Sequence, residues 1–204
     1  MELTEIAHLL RPFAEVSDEG LRKISIYIDL LLKWNRKINL TAVRDPEKIV
    51  TRHFGESFFA ASHLLPPDWI GSVIDVGSGA GFPGLPMAMY SPTAAVTLIE
   101  SKGKRAAFLN EVIYTLRLTN VTVFKGRAED FPDQGDLVTL RAVEQFEKVL
   151  PYAIKLVKSG GMLGLMIGNA QTEAAKRASL GLKWESPLPV PGGHSRALLI
   201  GTKL

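Results

Sequence analysis

The stretch of this 204-residue chain best suited to chemistry is Asp75-Val76-Gly77-Ser78-Gly79-Ala80-Gly81-Phe82-Pro83-Gly84. Glycine at Gly77, Gly79 and Gly81 lets the backbone turn tightly and admits a ligand without Cβ collisions. Glu100 lies 23 residues after Gly77, the place of an acid at the end of a second strand. A carboxylate there can accept both hydroxyls of a ribose, each charge-assisted bond worth about 1.5–3 kcal/mol. Loop and acid together predict a nucleoside cofactor. Arg127-Ala128-Glu129-Asp130 offers a polar group for an adenine edge with space beside Ala128, although an acid there also suits the dipole of a helix start. Arg141 follows a further apolar run and would face the same place, since burying its charge unpaired would be costly.

Two cofactor classes compete. Gly79, Gly81 and Gly84 satisfy the dinucleotide pattern G-x-G-x-x-G, which points to an NAD(P)-dependent Rossmann oxidoreductase. A pyrophosphate, however, needs free amides at a helix start, and Pro83 removes one while Phe82 crowds the place. Tyr152 and Lys155 are three apart, not the four that stacks a dehydrogenase Tyr/Lys pair on one helix face. S-adenosyl-L-methionine has no phosphate to cradle and fits the loop better.

The elements that must hold these residues are legible in the apolar pattern. Leu21, Ile24, Ile28 and Leu31 form a helical stripe behind Ser17, an N-cap, with the helix fraying near residues 35–39. Asp45-Pro46 starts another helix, which carries Arg52, His53, Phe58 and Phe59 and stops at Pro66-Pro67. From Ser72, apolar runs Val73–Val76, Val96–Ile99, Val121–Phe124, Leu137–Leu140, Met162–Ile167 and Ala197–Ile200 read as strands. They alternate with helical segments Leu85–Tyr90, Lys104–Leu118, Glu144–Lys158 and Gln171–Leu180. This alternation predicts an α/β fold with a mostly parallel, doubly wound sheet. A helical extension over residues 1–70 would pack on a Rossmann-like domain over 71–204. Trp184 to Val190 reads as a further strand, confined to an edge by Pro187, Pro189 and Pro191.

Composition narrows the chemistry. The chain has no cysteine, which excludes disulfides, thiolate zinc sites and a cysteine nucleophile. Its histidines, His8, His53, His63 and His194, show no one-turn pairing, so no metal is expected. The acidic start and the lack of a bilayer-length apolar run predict a cytoplasmic protein with no membrane association. Net charge is +3, yet residues 22–52 hold eight basic and three acidic side chains, a footprint suited to nucleic acid or to a solvated helix face.

If the reaction is methyl transfer, elimination narrows its target. Ring-carbon methylation of cytosine generally uses a cysteine, and amino methylation usually uses an Asn/Asp-Pro-Pro-aromatic turn after the fourth strand. That place reads Thr139-Leu140-Arg141-Ala142, while Pro66-Pro67-Asp68-Trp69 precedes the first strand. A guanine N7 fits the remainder, because its lone pair needs no deprotonation; positioning can supply up to ~7–11 kcal/mol. His53 and Arg141 are the candidate catalytic residues, His53 being suited to packing or substrate contact more than to a base.

Asn39-Leu40-Thr41-Ala42, Arg44-Asp45-Pro46, Thr51-Arg52-His53-Phe54, Asp75 to Pro86, Glu100-Ser101, Lys104-Arg105 and Arg141-Ala142-Val143 resemble the RsmG/GidB family. That family consists of bacterial methyltransferases acting on a guanosine N7 of 16S ribosomal RNA. The resemblance runs from about residue 30 to 165 and implies a class I methyltransferase fold. It implies cofactor contacts at Gly77, Phe82, Ala128, Glu129 and Arg141, with Gly79, Gly81 and Glu100 shaping the pocket. It places Asn39, Arg52 and His53 on the RNA side, with Lys102, Lys104 and Arg105 as phosphate contacts. The substrate would be 16S rRNA, free or within the small subunit or an assembly intermediate, and the enzyme a monomer. The chain departs from the family in Met166-Ile167-Gly168-Asn169, which lacks the usual lysine, in Gly55-Glu56-Ser57, and in Glu144-Gln145-Phe146. A non-catalytic ribosomal RNA-binding module is the remaining alternative.

Overall fold

The structure, a computed structural model, describes residues 1–66, 68–179, 181–193 and 195–204. Pro67, Leu180 and His194, which entered the sequence reading, lie outside the described residues. Helices α1 (Leu3–Leu10), α2 (Asp18–Asn35), α3 (Pro46–Ile49) and α4 (Glu56–Leu64) precede the first strand. Ser17 caps α2 by accepting from the Gly20 amide, and Asp45 caps α3 by accepting from Glu47 and Lys48, as their residue types require. Between α3 and α4 the chain widens into a π-helical turn, Val50–Gly55.

The strands are β1 (Ser72–Val76), β2 (Ala95–Ile99), β3 (Val121–Phe124), β4 (Gly135–Arg141), β5 (Val157–Gly168), β6 (Leu182–Trp184), β7 (Leu188–Pro189) and β8 (Arg196–Lys203). Helices α5 (Gly84–Tyr90), α6 (Gly103–Leu116), α7 (Phe146–Leu156) and α8 (Asn169–Arg177) alternate with them. The sheet order is β3-β2-β1-β4-β5-β8-β6, with β7 also on β8. Pairs within β1–β5 are parallel; β8 runs antiparallel to β5 and to both short strands.

Both faces are covered. Alternation along the strands sends Val73, Val96, Leu98, Leu137 and Leu198 to one cluster with α1, α2, α4, α5 and α6. Ile74, Val76, Ile99, Val138, Leu140 and Leu199 go to the other, with α7 and α8. Ile6, Tyr27, Phe54 and Leu64 share the first cluster with sheet residues, so the opening helices bury their apolar faces against the same layer that holds the glycine loop.

Two expectations about elements need correction. Trp184 to Val190 is not one strand: β6 and β7 pair separately with β8, and Glu185 donates its amide to Ile200 between them. Glu144 to Lys158 is not all helix. Gln145 takes a left-handed φ of 56°, so α7 starts at Phe146, and Val157 already pairs with Gly135 as the first residue of β5. Sheet pairing outweighs the helical pattern there.

Candidate active site

The carboxyl ends of β1, β4 and β5 open into a crevice of about 560 Å³, where ligands bind in open α/β sheets. Of the cofactor candidates, Gly77, Gly79, Phe82 and Arg141 line it; of the RNA candidates, Arg52, His53, Lys102 and Arg105 do. Asn39 and Lys104 are exposed outside it. Ala128 and Glu129 border a different depression with Phe131 and Lys155. The expected polar corner is therefore not part of the crevice as the chain stands, and Glu129 pairs with Arg127 at 3.3 Å.

The glycine loop is held from beneath by its own amides. Those of Gly77 and Ser78 donate to the Ile99 carbonyl, Gly79 to Glu100 Oε2, Gly81 to the Ser78 carbonyl and Gly84 to Asp75 Oδ2. None of these donors remains for a pyrophosphate. A Cβ at Gly79 would meet nothing nearer than the Gly77 carbonyl at 3.8 Å, so the loop leaves room for a ligand. Gly81 works differently: its φ is +88° and a Cβ there would strike Tyr27 and Leu85. It shapes the loop by allowing α2 to approach.

Glu100 is 3% exposed and does not border the crevice. Its Oε2 accepts from Gly79 at 2.9 Å and its Oε1 from Lys102 at 2.7 Å. The sugar-anchoring geometry expected of it is replaced by a strap between the loop and the start of α6. Asp75, fully buried, accepts from Thr139 Oγ1 at 2.9 Å as well as from Gly84. Burial pushes its pKa up to about 6, against the hydrogen bonds from Ser78, Thr139 and Gly84.

A stack of rings ties the opening helices to the loop. Phe82, 6% exposed, lies between Tyr27 (centroids 5.3 Å) and His53 (4.8 Å), with Phe54 edge-on at 5.1 Å. Tyr27 also donates its hydroxyl to the Ala80 carbonyl at 2.5 Å. Phe82 is thus pinned beside the crevice, not laid across it.

Arg141 is paired, contrary to the expectation from its position. Its guanidinium donates to the Arg52 carbonyl at 2.5 Å, His53 Nδ1 at 3.2 Å and Glu56 Oε2 at 3.1 Å. The π-turn makes the first bond available, because the Glu56 amide donates to Thr51 and His53 rather than to Arg52. Glu56, 3% exposed, also pairs with Arg196 at 2.7 Å, giving an Arg–Glu–Arg cluster with one net positive charge. Burial lowers the pKa of Arg141, and Glu56 is the largest influence holding it up.

His53 is neutral. Burial, then Arg141 and Arg52, depress its pKa to about 3. Since a guanidinium only donates, Nδ1 is the acceptor and Nε2 carries the hydrogen, donated to Thr41 Oγ1 at 2.8 Å. A lone pair already taken by Arg141, on so weak a base, does not suit His53 to proton abstraction. It orients Arg141 instead. The sequence assigned no role to Glu56, Arg196, Tyr27 or Thr41; Thr41 and Glu56 stood only within the stretches Asn39-Leu40-Thr41-Ala42 and Gly55-Glu56-Ser57.

The chain matches the GidB family, rRNA small subunit methyltransferase G, over residues 20–187. It belongs to the GidB family. A curated relative from Chloroflexus aggregans, "Ribosomal RNA small subunit methyltransferase G", is 38% identical, covering 93% of this chain and 84% of the relative. Among solved structures, the ribosomal protein L11 methylase of Lactobacillus delbrueckii subsp. bulgaricus superposes with a TM-score of 0.63 at 14% identity, covering 75% of this chain and 79% of that one. The M. jannaschii TYW2 structure, in complex with AdoMet, gives 0.60 at 19% identity, covering 82% and 78%. At these identities the two structures establish a Rossmann-like methyltransferase fold. In this GidB chain, no helix of the described residues is long and apolar enough to cross a membrane. No cluster of metal-ligating side chains occurs among them.

Proposed function

We propose that this protein transfers a methyl group from S-adenosyl-L-methionine to N7 of a guanosine in small-subunit (16S) ribosomal RNA. The observation that carries the reading is the glycine loop: the amides of Gly77, Ser78, Gly79, Gly81 and Gly84 are bonded internally and Pro83 has none, so it suits a nucleoside without phosphates and disfavours NAD(P). When bound, S-adenosyl-L-methionine supplies an electrophilic methyl group on a positively charged sulfur. The AdoMet in the TYW2 complex and the family membership support that choice.

The chain's own residues then bind and orient. Gly77 and Gly79 give backbone room, Phe82 offers an edge, and Arg141 presents a fixed cation to the amino-acid carboxylate. Glu100 acts through the loop that it straps, and its carbonyl in turn accepts from the Gly126 amide. Guanine N7 carries a free lone pair, so no residue need remove a proton, consistent with a neutral, acceptor-occupied His53. Arg52, Lys102 and Arg105 on the crevice rim, with Asn39 and Lys104 beside it, would hold the RNA backbone.

Calorimetry with S-adenosylhomocysteine and with NADH tests the reading. Binding of the first and silence of the second is expected; the reverse would return the chain to the oxidoreductases. RNA binding without transfer of labelled methyl groups would leave the non-catalytic module. Assaying free 16S rRNA, assembly intermediates and whole small subunits in parallel identifies the form of substrate.

A further inference from the structure

A further concavity, of about 400 Å³, is lined by Leu32, Asn35, Arg36 and Arg44. It is separated from the crevice by the loop of residues 36–43. Leu40, Thr41 and Ala42 of that loop line the crevice, whereas the residues at its ends line the notch. The wall between them is built, not loose. Asn35 Oδ1 accepts from the amides of Leu40 and Thr41, its Nδ2 donates to the Thr41 carbonyl, and Thr41 continues to His53.

Arg36 and Arg44 are both exposed, and neither forms an ion pair among the described residues. The dipole at the carboxyl end of α2 accounts for a cation at Arg36, but not for Arg44, which comes from beyond the loop. On the crevice side a third arginine, Arg105, reaches the Asn39 carbonyl of the same loop at 3.5 Å. Three guanidinium groups therefore surround one short wall. Half-buried Leu32 adds an apolar floor, and the Asn35 amide is spent on backbone, so the notch offers planar cations and apolar surface with little base-edge readout. Stacking on guanidinium planes and charge-assisted phosphate contacts are how unpaired nucleotides are held without sequence preference.

We propose that this notch docks an unpaired nucleotide of the RNA strand that enters the crevice, its base against Leu32 and the arginine planes and its phosphates on Arg36 and Arg44. The proposal rests on the rRNA methyltransferase reading and assigns that RNA a second anchoring point across the loop from the target base.

The test uses the full chain and a fluorescent single-stranded oligoribonucleotide, with anisotropy measured over a range of salt, beside methyl transfer to unmethylated 16S rRNA. Arg36→Gln with Arg44→Gln should weaken oligonucleotide binding about tenfold and flatten the salt slope by about 1.4, or about 0.7 for each phosphate no longer neutralised. KM for RNA should rise while kcat and the Kd for S-adenosylhomocysteine hold. Arg36→Lys with Arg44→Lys should keep the slope but bind several-fold more weakly, because lysine lacks the stacking plane. Arg177→Gln with Lys183→Gln removes the same charge near the β6 edge of the sheet and should change neither quantity. An unchanged Gln pair, an equal weakening in the control pair, or a Lys pair as tight as the unsubstituted protein would overturn the proposal. Binding and transfer are read separately, so a protein that binds RNA through the notch yet transfers no methyl group sinks the enzymatic reading alone.

Discussion

Replacing Glu56 by Gln keeps the shape of the side chain and removes its charge. The carboxylate is 3% exposed and bridges Arg141 at 3.1 Å and Arg196 at 2.7 Å, whose side chains are 13% and 32% exposed. Removing one partner of a buried ion pair costs about 3–5 kcal/mol, because the remaining charge is left uncompensated. Here two cations would be left facing each other. Water reaches a third of Arg196 and screens part of that repulsion, so the low end, about 3 kcal/mol, is expected. Arg141 would keep its bonds to the Arg52 carbonyl and His53, so it should stay aimed at the crevice. Urea denaturation reads the effect as a lower midpoint at unchanged slope. Adding Arg196→Met to the Gln variant removes one excess cation and should recover about 1–2 kcal/mol, a coupling expected of neighbours in one network. A Gln variant within about 0.5 kcal/mol of the unsubstituted protein, the range of ordinary surface changes, would refute this reasoning. So would an Arg196→Met effect that simply adds.

Three further outcomes follow from the same geometry. His53 has its pKa lowered from 6.5 to about 3, so its contribution to stability is complete above pH 6.5 and drains as pH falls toward 3. Asp75, raised from 3.8 to about 6, does the opposite, since protonation relieves the cost of its burial as pH falls from 6 to 3.8. His53→Phe should therefore lose about 2 kcal/mol less than the unsubstituted protein between pH 6.5 and pH 5, measured by urea titration at both; equal losses would contradict the neutral imidazole. Gly81→Ala puts a methyl group into Tyr27 and Leu85 at a left-handed φ, and a loss of about 2–4 kcal/mol in thermal unfolding is expected. Tyr27→Phe strands the Ala80 carbonyl but keeps the ring stack. It should cost about 1–3 kcal/mol of stability and loosen S-adenosylhomocysteine binding in calorimetry, and unchanged binding would detach α2 from the loop.

The parts of the molecule that periodicity governs were legible in the sequence. The stripe through Leu21, Ile24, Ile28 and Leu31 lies in the first apolar cluster, and all six expected apolar runs from Val73–Val76 onward fall within observed strands. Capping at Ser17 and Asp45 was readable because it depends on a side chain and the amides two or three residues later. What the sequence could not show is where a polar side chain spends its bonds. Glu100 has the right type and place for a sugar, yet Gly79 and Lys102 reach it first. Arg141 looked unpaired because its carboxylate comes from Glu56, 85 positions earlier, through a π-turn that no local pattern announces. Proline at Pro187 and Pro189 marked an edge correctly without revealing that it breaks into two short strands.

The most direct measurement starts from small ribosomal subunits and 16S rRNA of cells lacking the gene for this protein. Purified protein and methyl-labelled S-adenosyl-L-methionine are added, and the RNA is digested and read by mass spectrometry. A single N7-methylguanosine appearing in 16S rRNA, absent without the protein and lost in Arg141→Ala, is the expected result. Label on another base, on guanine at an atom other than N7, or on no RNA at all would contradict it.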